Sequence, residues 1–516
     1  MSPEDIYIFI RLFGHFLAFC PSTHIDIIKS FSMLWDMQIT TIDELLQQLK
    51  ETFQFKNNEH ESIIDIYDIP RWIYEEEFHE HKHDLYDVAS SFTRSVPYFY
   101  NHTKESDFFV DVESYFALYK LELDEKNFYL GVTWYFYILE YFYPYSIPYC
   151  TTQIIKRIIK NYPDKIKNEI DHFNFWRETQ HLLLDGHCIT TYNGSIYDEK
   201  YVLPFEMMAV DDVIIISKVK ESYAQIIPLG SEIIKIDGKG IRELIDSVLI
   251  FSKGSNHDFI LSDTLMRIAN SQRNRESLIT LGNGATHTIK NYDRFYNEPD
   301  IRKTLGKNTG FLSEGIFYIN GDRLDMYSGE TISDEIKSGK VRGLILDHRG
   351  YEISNYDLQT YIQSSLFKDQ EYFAMVRSNE ILIPCAKYVY NSKAWQDKEN
   401  LFPEADLDIK IVILVDSSTL SRSEWVTMQY QRIQRDGSSK RNVLVVGQQT
   451  AGADGNVRNF YLPGRITVMM TFMGVFYLNS VPTQRKGIII DKFVKYKPDD
   501  EDQILNEGIH HLNLKN

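Results

Sequence analysis

The stretch IVILVDSSTLSRSEWVTMQYQRIQRD, residues 411 to 436, passes from an apolar run through a cluster of serines into a helical pattern. The run IVILVD has the profile of a buried strand. The residues after the cluster can be wound so that Trp425, Met428 and Ile433 share one face of a helix. A hydroxyl at such a junction is a candidate nucleophile, although no G-x-S-x-G motif marks it. The stretch therefore predicts a strand, a serine-rich turn and a helix.

Short apolar strands alternate with helical patterns on both sides of this junction. In chain order the segments are GIFYIN, ETISDEIKSG, VRGLILDHRG, SNYDLQTYIQSSLF, IKIVILVD, SRSEWVTMQYQRIQ and NVLVVGQQ. This alternation predicts an α/β fold with a mostly parallel sheet. Because functional groups gather at the carboxyl ends of parallel strands, we expect DHRG (347–350) and the serine cluster to lie close together.

The rest of the chain predicts a helical front region and a β-rich insert. In the insert, a loop with Gly230, the run EIIKIDGK and a helix resemble a PDZ domain, with Ser231 where an aspartate is usual. PDZ domains bind chain ends by adding the ligand as a strand. The predicted domains are an N-terminal helical domain (1–115), a helical part of the core (116–202), a PDZ-like domain (203–297) and an α/β core (298–516).

Composition and charge limit the class of partner. The 516 residues are 43% hydrophobic, which is enough for a large core, and the formal net charge is -18. Without a basic run, this acidic balance argues against nucleic acid or an anionic membrane surface as the main partner. The cysteines form no C-x-x-C motif, so neither a zinc cage nor a disulfide framework is predicted. We expect buried free thiols at Cys20, Cys150, Cys188 and Cys385.

Two apolar segments have the length of a membrane-related segment but not its composition. Residues 6–19 contain Arg11, lack a basic leader and have no small-residue cleavage site, so they make a poor signal peptide. Residues 129–150 are rich in tyrosine and are interrupted by Glu140 and two prolines. We therefore expect neither a signal peptide nor an integral membrane span.

Three histidines at alternate positions in EEEFHEHKHD (75–84) are candidate metal ligands. On a strand, His79, His81 and His83 would project to one side and could hold a metal ion. The favoured interpretation is a solvated acidic loop, because nothing in the sequence fixes the backbone there.

A histidine in the stretch HLLLDGHCITTYNG (181–194) is a candidate general base. His187 follows an apolar helical end and an Asp-Gly turn. An imidazole titrates near physiological pH, so its neutral form can accept a serine proton. A loop histidine alone is more often a surface or turn residue. Cys188 is a weaker candidate nucleophile, because neighbours in an extended segment point to opposite sides.

Taken together, these motifs resemble the C-terminal processing peptidase superfamily of serine peptidases. The resemblance is strongest to the branch with the tricorn core protease and the interphotoreceptor retinoid-binding protein. The matching stretches are LLLDGHC, GLILDHRG, ILVDSSTLSRSEW, VVGQQTAGADGNVRNFYLPG and TQRKGI. The last two are the most specific, because their spacing after the serine cluster also fits.

The resemblance implies a nucleophile and a base. It implies that Ser421, three residues before Glu424, attacks the substrate, and that His187 acts as general base and then as general acid. One branch of the family uses a lysine in a T-F-G-K segment, but residues 450–453 read TAGA here. The sequence therefore favours a Ser/His mechanism over a Ser/Lys mechanism. The alternative role for Ser421 is to cap the helix that follows it.

The family pattern is incomplete in two places. The resemblance implies that the backbone amides of Gly350 and Arg422 stabilise the oxyanion, but the paired glycines that usually follow DHRG are absent. It also places Gln484 where the tricorn type has an acidic residue on the histidine side. Glutamine can orient by hydrogen bonding but cannot stabilise an imidazolium by charge. These departures predict slow turnover.

The preferred hypothesis is a serine peptidase that hydrolyses unfolded or carboxyl-terminal peptide segments without a metal or an organic cofactor. The resemblance implies a periplasmic or secreted location, and the oligomeric state is not predicted. The alternative is a catalytically weak or inactive protein on the same scaffold that binds peptides or hydrophobic ligands; the missing glycine pair and Gln484 support it. A purely structural helical assembly protein would explain the front region but not TAGADGN.

Overall fold

The structure is a computed structural model of the 516-residue chain. It describes residues 2–18, 27–37, 39, 41–52, 71–85, 88, 117–162, 164–192, 201–271, 275–293, 300–302, 308–321, 328–350, 356–367, 371–379, 387–393, 409–438, 443–495 and 502–513.

The front of the described chain is helical, as predicted. Its helices are α1 (Pro3–Ala18), α2 (Ile27–Asp36), α3 (Ile42–Thr52), α4 (Glu125–Phe142), α5 (Thr151–Asn161) and α6 (Glu169–His181). Asp124 and Asn168 begin α4 and α6 by accepting hydrogen bonds from first-turn amides. Aromatic and aliphatic side chains from these helices share one large core.

A buried ion pair joins α1 to α4. The Arg11 guanidinium donates to both carboxylate oxygens of Glu140 at 2.7 Å, and both side chains are almost completely buried. Arg11 and Glu140 are also the charges that make residues 6–19 and 129–150 poor membrane segments. Inside the aromatic core, each charge compensates the other. Within the described ranges, no helix combines the length and the apolar character needed to cross a bilayer.

The three histidines of residues 75–84 are not on a strand or in an irregular loop, so both expectations for this segment are wrong. His79 and His81 belong to a 3-10 helix, Glu76–His81, and residues 82–85 continue as a helical turn. Alternate residues of a helix do not point the same way. Among the residues that the structure describes, no group of three or more His, Cys, Asp or Glu side chains could hold a metal ion.

The β-rich insert has its own hydrophobic core. Strand β1 (Ile189–Tyr192) precedes it. The strands of the insert are β2 (Tyr201–Val202), β3 (Phe205–Val210), β4 (Val213–Lys220), β5 (Ile233–Ile236), β6 (Lys239–Gly240), β7 (Asn270–Ser271), β8 (Glu276–Leu281), β9 (Thr286–Lys290), β10 (Tyr292–Asp293) and β11 (Asp300–Arg302). Its helices are α7 (Ile241–Val248) and α8 (His257–Ala269). The likeness to a PDZ domain and the domain boundaries stay predictions.

The remaining elements build the α/β core. Its strands are β12 (Gly310–Ser313), β13 (Ile316–Asn320), β14 (Gly343–Asp347), β15 (Tyr372–Asn379), β16 (Lys387–Lys393), β17 (Lys410–Val415), β18 (Val443–Gly447), β19 (Asn456–Leu462), β20 (Ile466–Phe476) and β21 (Lys492–Phe493). Its helices are α9 (Gly329–Lys337), α10 (Tyr356–Leu366), α11 (Arg422–Gln431) and α12 (Gln503–Asn513).

The predicted parallel sheet is confirmed. Its strand order is β12-β13-β14-β17-β18-β21, and every pairing from β13 to β21 is parallel. Strands β14 and β17 are neighbours in register, with Asp347 opposite Leu414. The His348 amide donates to the Leu414 carbonyl at 3.0 Å. The DHRG segment and the serine cluster therefore leave the sheet side by side.

A second sheet was not predicted. It has the order β1-β20-β15-β16, with β19 paired to β20. Strand β1 begins two residues after His187 and runs antiparallel to β20, with Ile189 opposite Met469. This pairing ties the end of the helical region to the α/β core.

The cysteines follow the expectation only in part. Cys188 is a buried free thiol, whereas Cys150 is exposed. Cys150 directly precedes α5. Cys20 and Cys385 lie outside the described residues.

Candidate active site

Ser421 lies between β17 and α11 in a strained backbone conformation. Its φ is 52° and its ψ is -116°, a combination that residues other than glycine rarely adopt. The Ser421 amide donates to the Ala453 carbonyl at 2.7 Å. Its hydroxyl makes no capping hydrogen bond to α11, so capping does not explain this serine. Hydrolases with a G-x-S-x-G motif expose their nucleophile on such a strand-to-helix turn.

Two buried hydroxyl residues stand where the glycines of a G-x-S-x-G motif would lie. Thr419 and Ser423 are completely buried. The Thr419 hydroxyl donates to the His348 carbonyl at 2.9 Å, and the Ser423 hydroxyl donates to the Gly350 carbonyl at 3.0 Å. These bonds fasten the serine turn to the end of β14, which explains part of the hydroxyl content of the junction.

A buried carboxylate, Glu424, joins α11 to the TAGA loop (450–453). It accepts hydrogen bonds from the Thr450 hydroxyl at 2.6 Å and from the amides of Gly452 and Ala453 at 2.9 and 2.8 Å. Burial raises the pKa of Glu424 to about 7, although these donors oppose the shift. The helix after the serine turn and the loop that binds its amide are thus one hydrogen-bonded unit.

His187 lies in the histidine loop (182–188), between α6 and β1. Its amide donates to Asp185 Oδ1 at 2.9 Å, and its Nδ1 lies 4.0 Å from the same oxygen. Nδ1 is buried and has no hydrogen-bond partner among the described residues. Burial lowers the pKa of His187, Asp185 opposes the shift, and the charge of Lys253 adds to it. The imidazole is therefore neutral near physiological pH, as a general base must be.

The histidine loop and the serine turn meet at Ala453, whose carbonyl binds the Ser421 amide. A Cβ built on Gly186 would overlap the Phe259 ring and lie 2.8 Å from the Ala453 Cβ, so only glycine permits this approach. Gly186, directly before His187, thus packs against Ala453, which binds the Ser421 amide. Within the described residues, the Ser421 hydroxyl and the His187 ring do not hydrogen-bond to each other.

Gln484 contacts the backbone of the histidine loop rather than the imidazole. Its Nε2 donates to the Leu184 carbonyl and to the Ser255 hydroxyl, each at 3.3 Å. The next residue, Arg485, donates to the carbonyls of Leu183 and Leu184 at 2.9 and 3.2 Å. Two consecutive side chains therefore hold the loop in place, and any orienting effect of Gln484 on the histidine acts through this loop.

The two residues predicted to stabilise an oxyanion lie on either side of the serine turn. Arg422 is the first residue of α11, directly after Ser421. Gly350 follows β14 with a φ of 96°, and its amide donates to the Ser418 hydroxyl at 2.9 Å. The Gly350 amide can therefore bind an oxyanion only if it exchanges that hydrogen bond.

No protein-family model and no curated protein matches the sequence. The chain is similar to the crystal structure of mature CPAF, with 13% identity and a TM-score of 0.54 over 75% of this chain and 96% of that chain. Mature CPAF complexed with lactacystin matches with 13% identity and a TM-score of 0.52 over 75% of this chain and 97% of that chain. The photosystem II D1 C-terminal processing protease matches over 72% of this chain and 94% of that chain, with 11% identity and a TM-score of 0.41. The chain has a C-terminal processing peptidase-like fold.

In this peptidase-like fold, two side chains of the insert reach the candidate site without any signal in the sequence. The Ser255 hydroxyl accepts a hydrogen bond from the Gly186 amide at 2.7 Å. Asn256 Nδ2 donates to the carbonyls of Thr450 and Ala451 at 2.7 and 3.1 Å. Sequence reasoning missed both residues, because each acts on a segment far away in the chain.

Asp185 is a further residue of the candidate site that sequence reasoning left without a role. Its side chain is completely buried, and its Oδ2 accepts a hydrogen bond from the Tyr143 hydroxyl at 2.9 Å. It is the acidic group beside His187, and its charge opposes the fall in the pKa of that histidine. Its position in the D-G-H motif is the signal that could have found it.

Proposed function

We propose that the protein is a serine peptidase with Ser421 as nucleophile and His187 as general base. The single observation that carries the proposal is the strained turn at Ser421, whose amide is held by Ala453, on which the loop of His187 packs. A strained conformation persists only where the surrounding structure over-determines it, and such residues cluster at active sites.

In the proposed mechanism, the Ser421 hydroxyl attacks a peptide carbonyl and passes its proton to the neutral imidazole of His187. The Arg422 amide, and the Gly350 amide once Ser418 releases it, donate to the oxyanion. His187 then gives the proton to the leaving amine, and a water molecule hydrolyses the acyl-enzyme in the same way. Asp185 stabilises the imidazolium by charge, since its carboxylate lies near Nδ1.

The proposed substrates are unfolded or carboxyl-terminal segments of polypeptides. The similar solved structures include a C-terminal processing protease. The β-rich insert supports this substrate class, because Ser255 and Asn256 place it directly beside the candidate nucleophile and base. An extended segment bound along the insert would therefore approach both groups.

Substrate binding must tighten the site. The Ser421 hydroxyl is not bonded to His187, and the Gly350 amide is engaged by Ser418. Catalytic hydrogen bonds are often long or absent before substrate binds and form in the complex. We infer that the bound peptide displaces the Ser418 hydroxyl and brings the imidazole onto the serine.

Fluorophosphonate labelling and hydrolysis of an unfolded protein test the proposal. We expect Ser421→Ala to abolish both, and His187→Gln to lower hydrolysis by roughly 100-fold or more. Ser417→Ala is the matched control, because it removes a hydroxyl from the same turn. Labelling that persists in Ser421→Ala, or that disappears equally in Ser417→Ala, would place the nucleophile elsewhere.

A second function, peptide binding without hydrolysis, is favoured by one observation. The Gly350 amide is already satisfied by Ser418, and Gln484 offers no charge to the histidine side. A binding protein needs no activated hydroxyl. Failure of the wild-type chain to label, together with retained peptide binding, would establish this second function.

A further inference from the structure

Residues 252–256 (SKGSN), here termed the bridging segment, run between the two halves of the candidate site. The Ser252 carbonyl accepts a hydrogen bond from His181 Nδ1 at 2.6 Å, at the end of α6. Ser255 binds the Gly186 amide, and Asn256 binds two carbonyls of the TAGA loop. The one residue of this segment with a charged side chain, Lys253, is therefore placed beside the histidine loop.

The backbone of the bridging segment is fixed on helix α8. The Lys253 amide donates to Asp263 Oδ2 at 2.9 Å. Gly254 packs so closely on α8 that an added Cβ would lie 2.6 Å from the Ile260 amide nitrogen. Because the Lys253 amide and Gly254 are both fixed on α8, the Cα of Lys253 has a defined position.

The Lys253 ammonium is a half-buried cation that makes no hydrogen bond and no ion pair with any described residue. Its charge acts on the histidine loop: it adds to the fall that burial causes in the pKa of His187, and it opposes the rise that burial causes in the pKa of the Cys188 thiol. Burial lowers the pKa of Lys253 itself, and the charges of Asp263 and Asp185 oppose the shift. Since Ser252 and Ser255, on either side of Lys253, bind His181 and the Gly186 amide, the backbone contacts also place this lysine beside the histidine loop.

The two carboxylates whose charges act on Lys253, Asp263 and Asp185, do not bind its ammonium. Both oxygens of Asp185 accept hydrogen bonds, from the His187 amide and from the Tyr143 hydroxyl. Asp263 Oδ2 accepts from Arg267 Nε at 2.6 Å, and Asp263 Oδ1 is buried without a hydrogen-bond partner among the described residues, the Lys253 ammonium included. A partly desolvated ammonium without an acceptor is costly unless a ligand completes it. In a chain of net charge -18, such a cation beside the base is a specific place for an anion.

We propose that Lys253 determines specificity by binding a carboxylate of the substrate next to the scissile bond. The inference rests on the proposed function, because it names the substrate class of that site. The carboxylate has two possible sources, the free end of a polypeptide or the side chain of Asp or Glu. Both offer the same oxygen acceptors to an ammonium donor.

Carboxylate binding would also tune the base. The Lys253 charge lowers the pKa of His187, and a bound carboxylate cancels that charge. The imidazole then becomes a stronger base only when a substrate of the right kind is present. Substrates without the carboxylate lose affinity and also encounter a weaker base.

The test uses the full chain carrying Ser421→Ala, so that binding is measured without hydrolysis. Fluorescence anisotropy compares three peptides of one sequence: one with a free carboxyl end, one amidated, and one amidated with an internal Gln changed to Glu. We expect at least one carboxylate peptide to bind about tenfold more tightly than the amidated peptide. The peptide that gains affinity identifies the source of the carboxylate.

Adding Lys253→Met should remove this preference, because methionine keeps an unbranched apolar side chain without the charge. Lys253→Arg should keep part of it. Lys239→Met, which removes an exposed lysine from the same insert, is the matched control and should keep all of it. If Lys253→Met does not fold, the same preference is measured in the Ser421→Ala chain in concentrated salt and with free acetate as competitor. Both conditions should remove it. Equal binding of all three peptides, or a preference unchanged in Lys253→Met, would overturn the inference.

The two proposals fail separately in this design. A chain that labels with fluorophosphonate but shows no carboxylate preference keeps the proposed function and loses the inference. A chain that shows a Lys253-dependent preference but never labels keeps the binding role of Lys253 and loses the peptidase.

Discussion

The serine half of the candidate site rests on adjacent strands of one parallel sheet, whereas the histidine half is held by segments from distant parts of the chain. The serine turn bonds to the end of β14 and to the TAGA loop after β18. The histidine loop takes its support from Ser255, Gln484 and Arg485. The candidate nucleophile is therefore held by neighbouring strands of one sheet, whereas the candidate base is held by contacts from distant parts of the chain.

The two halves also differ in how complete they are. Each oxygen of Glu424 accepts at least one hydrogen bond, and Ser421 is held in its strained conformation. In the histidine half, the buried Nδ1 of His187 and the buried Oε1 of Gln484 have no partner among the described residues. The comparison teaches that the backbone around Ser421 is already held in place. On the proposed function, the adjustment on substrate binding falls on the histidine half and on the one bond between Ser418 and the Gly350 amide.

The largest effect is expected from removing the carboxylate that unites the serine half. Glu424→Ala leaves the buried amides of Gly452 and Ala453 without an acceptor, so we expect the free energy of unfolding to fall by about 3 kcal/mol. The pKa of Glu424 is raised from 4.5 to about 7. Its contribution to stability is therefore full below pH 4.5 and is lost as the pH rises to about 7. Urea denaturation should show a larger penalty at pH 5 than at pH 8.

Glu276→Ala is the control for this experiment, because Glu276 is an exposed glutamate on β8. Its effect should stay within about 0.5 kcal/mol at both pH values. A Glu424→Ala penalty that grows with pH, or that equals the control, would contradict the assigned role of this carboxylate.

A smaller effect is expected where the two halves touch. In Gly186→Ala, the new methyl group would collide with the Phe259 ring and the Ala453 methyl group. We expect the free energy of unfolding to fall by about 2 kcal/mol and hydrolysis to fall with it, because the histidine loop is pushed from the serine turn. Denaturation and hydrolysis assays measure the two losses.

The matched control is Gly240→Ala, where an added Cβ meets open space. Phe259→Leu in the Gly186→Ala background should recover part of the lost stability by making room. Equal effects at the two glycines would mean that the halves do not meet at Ala453.

The smallest expected effect is a shift in the pKa of His187. In Asp185→Asn, the charge that opposes the fall in the pKa of His187 is removed, so the pKa of this histidine should fall further. The acidic limb of the pH dependence of kcat/KM should therefore move to lower pH. Asp246→Asn, at an exposed position on α7, should leave the profile unchanged. A shift to higher pH would show that Asp185 does not act on the histidine by charge.

The parallel sheet could be predicted because its strands carry their own signal. Strands such as Gly343–Asp347 and Lys410–Val415 are apolar runs buried on both faces, and helical patterns separate them. The position of Ser421 at a strand end followed from the same pattern. Its positive φ could not be predicted, because Thr419 and Ser423 stand where glycines would announce the turn.

The second sheet and the support of the histidine loop could not be predicted. Strand β20 (Ile466–Phe476) lies between the motifs VVGQQTAGADGNVRNFYLPG and TQRKGI, and its partners β1 and β15 come much earlier in the chain. The donors Asn256 and Arg485 act on backbone carbonyls, and any loop has such acceptors. Contacts of this kind depend on tertiary structure and leave no spacing pattern.

The contacts of the histidine loop have a consequence for how the protein is made. Gln484 lies 300 positions after Leu184, and Arg485 lies 302 positions after Leu183. During synthesis, the nascent chain contains the serine and the histidine well before it contains these donors. A chain that ends before residue 484 would keep the reactive groups and lack the clamp that places one against the other. The candidate site would thus be complete only after residues 484 and 485 have been made and have bound the histidine loop.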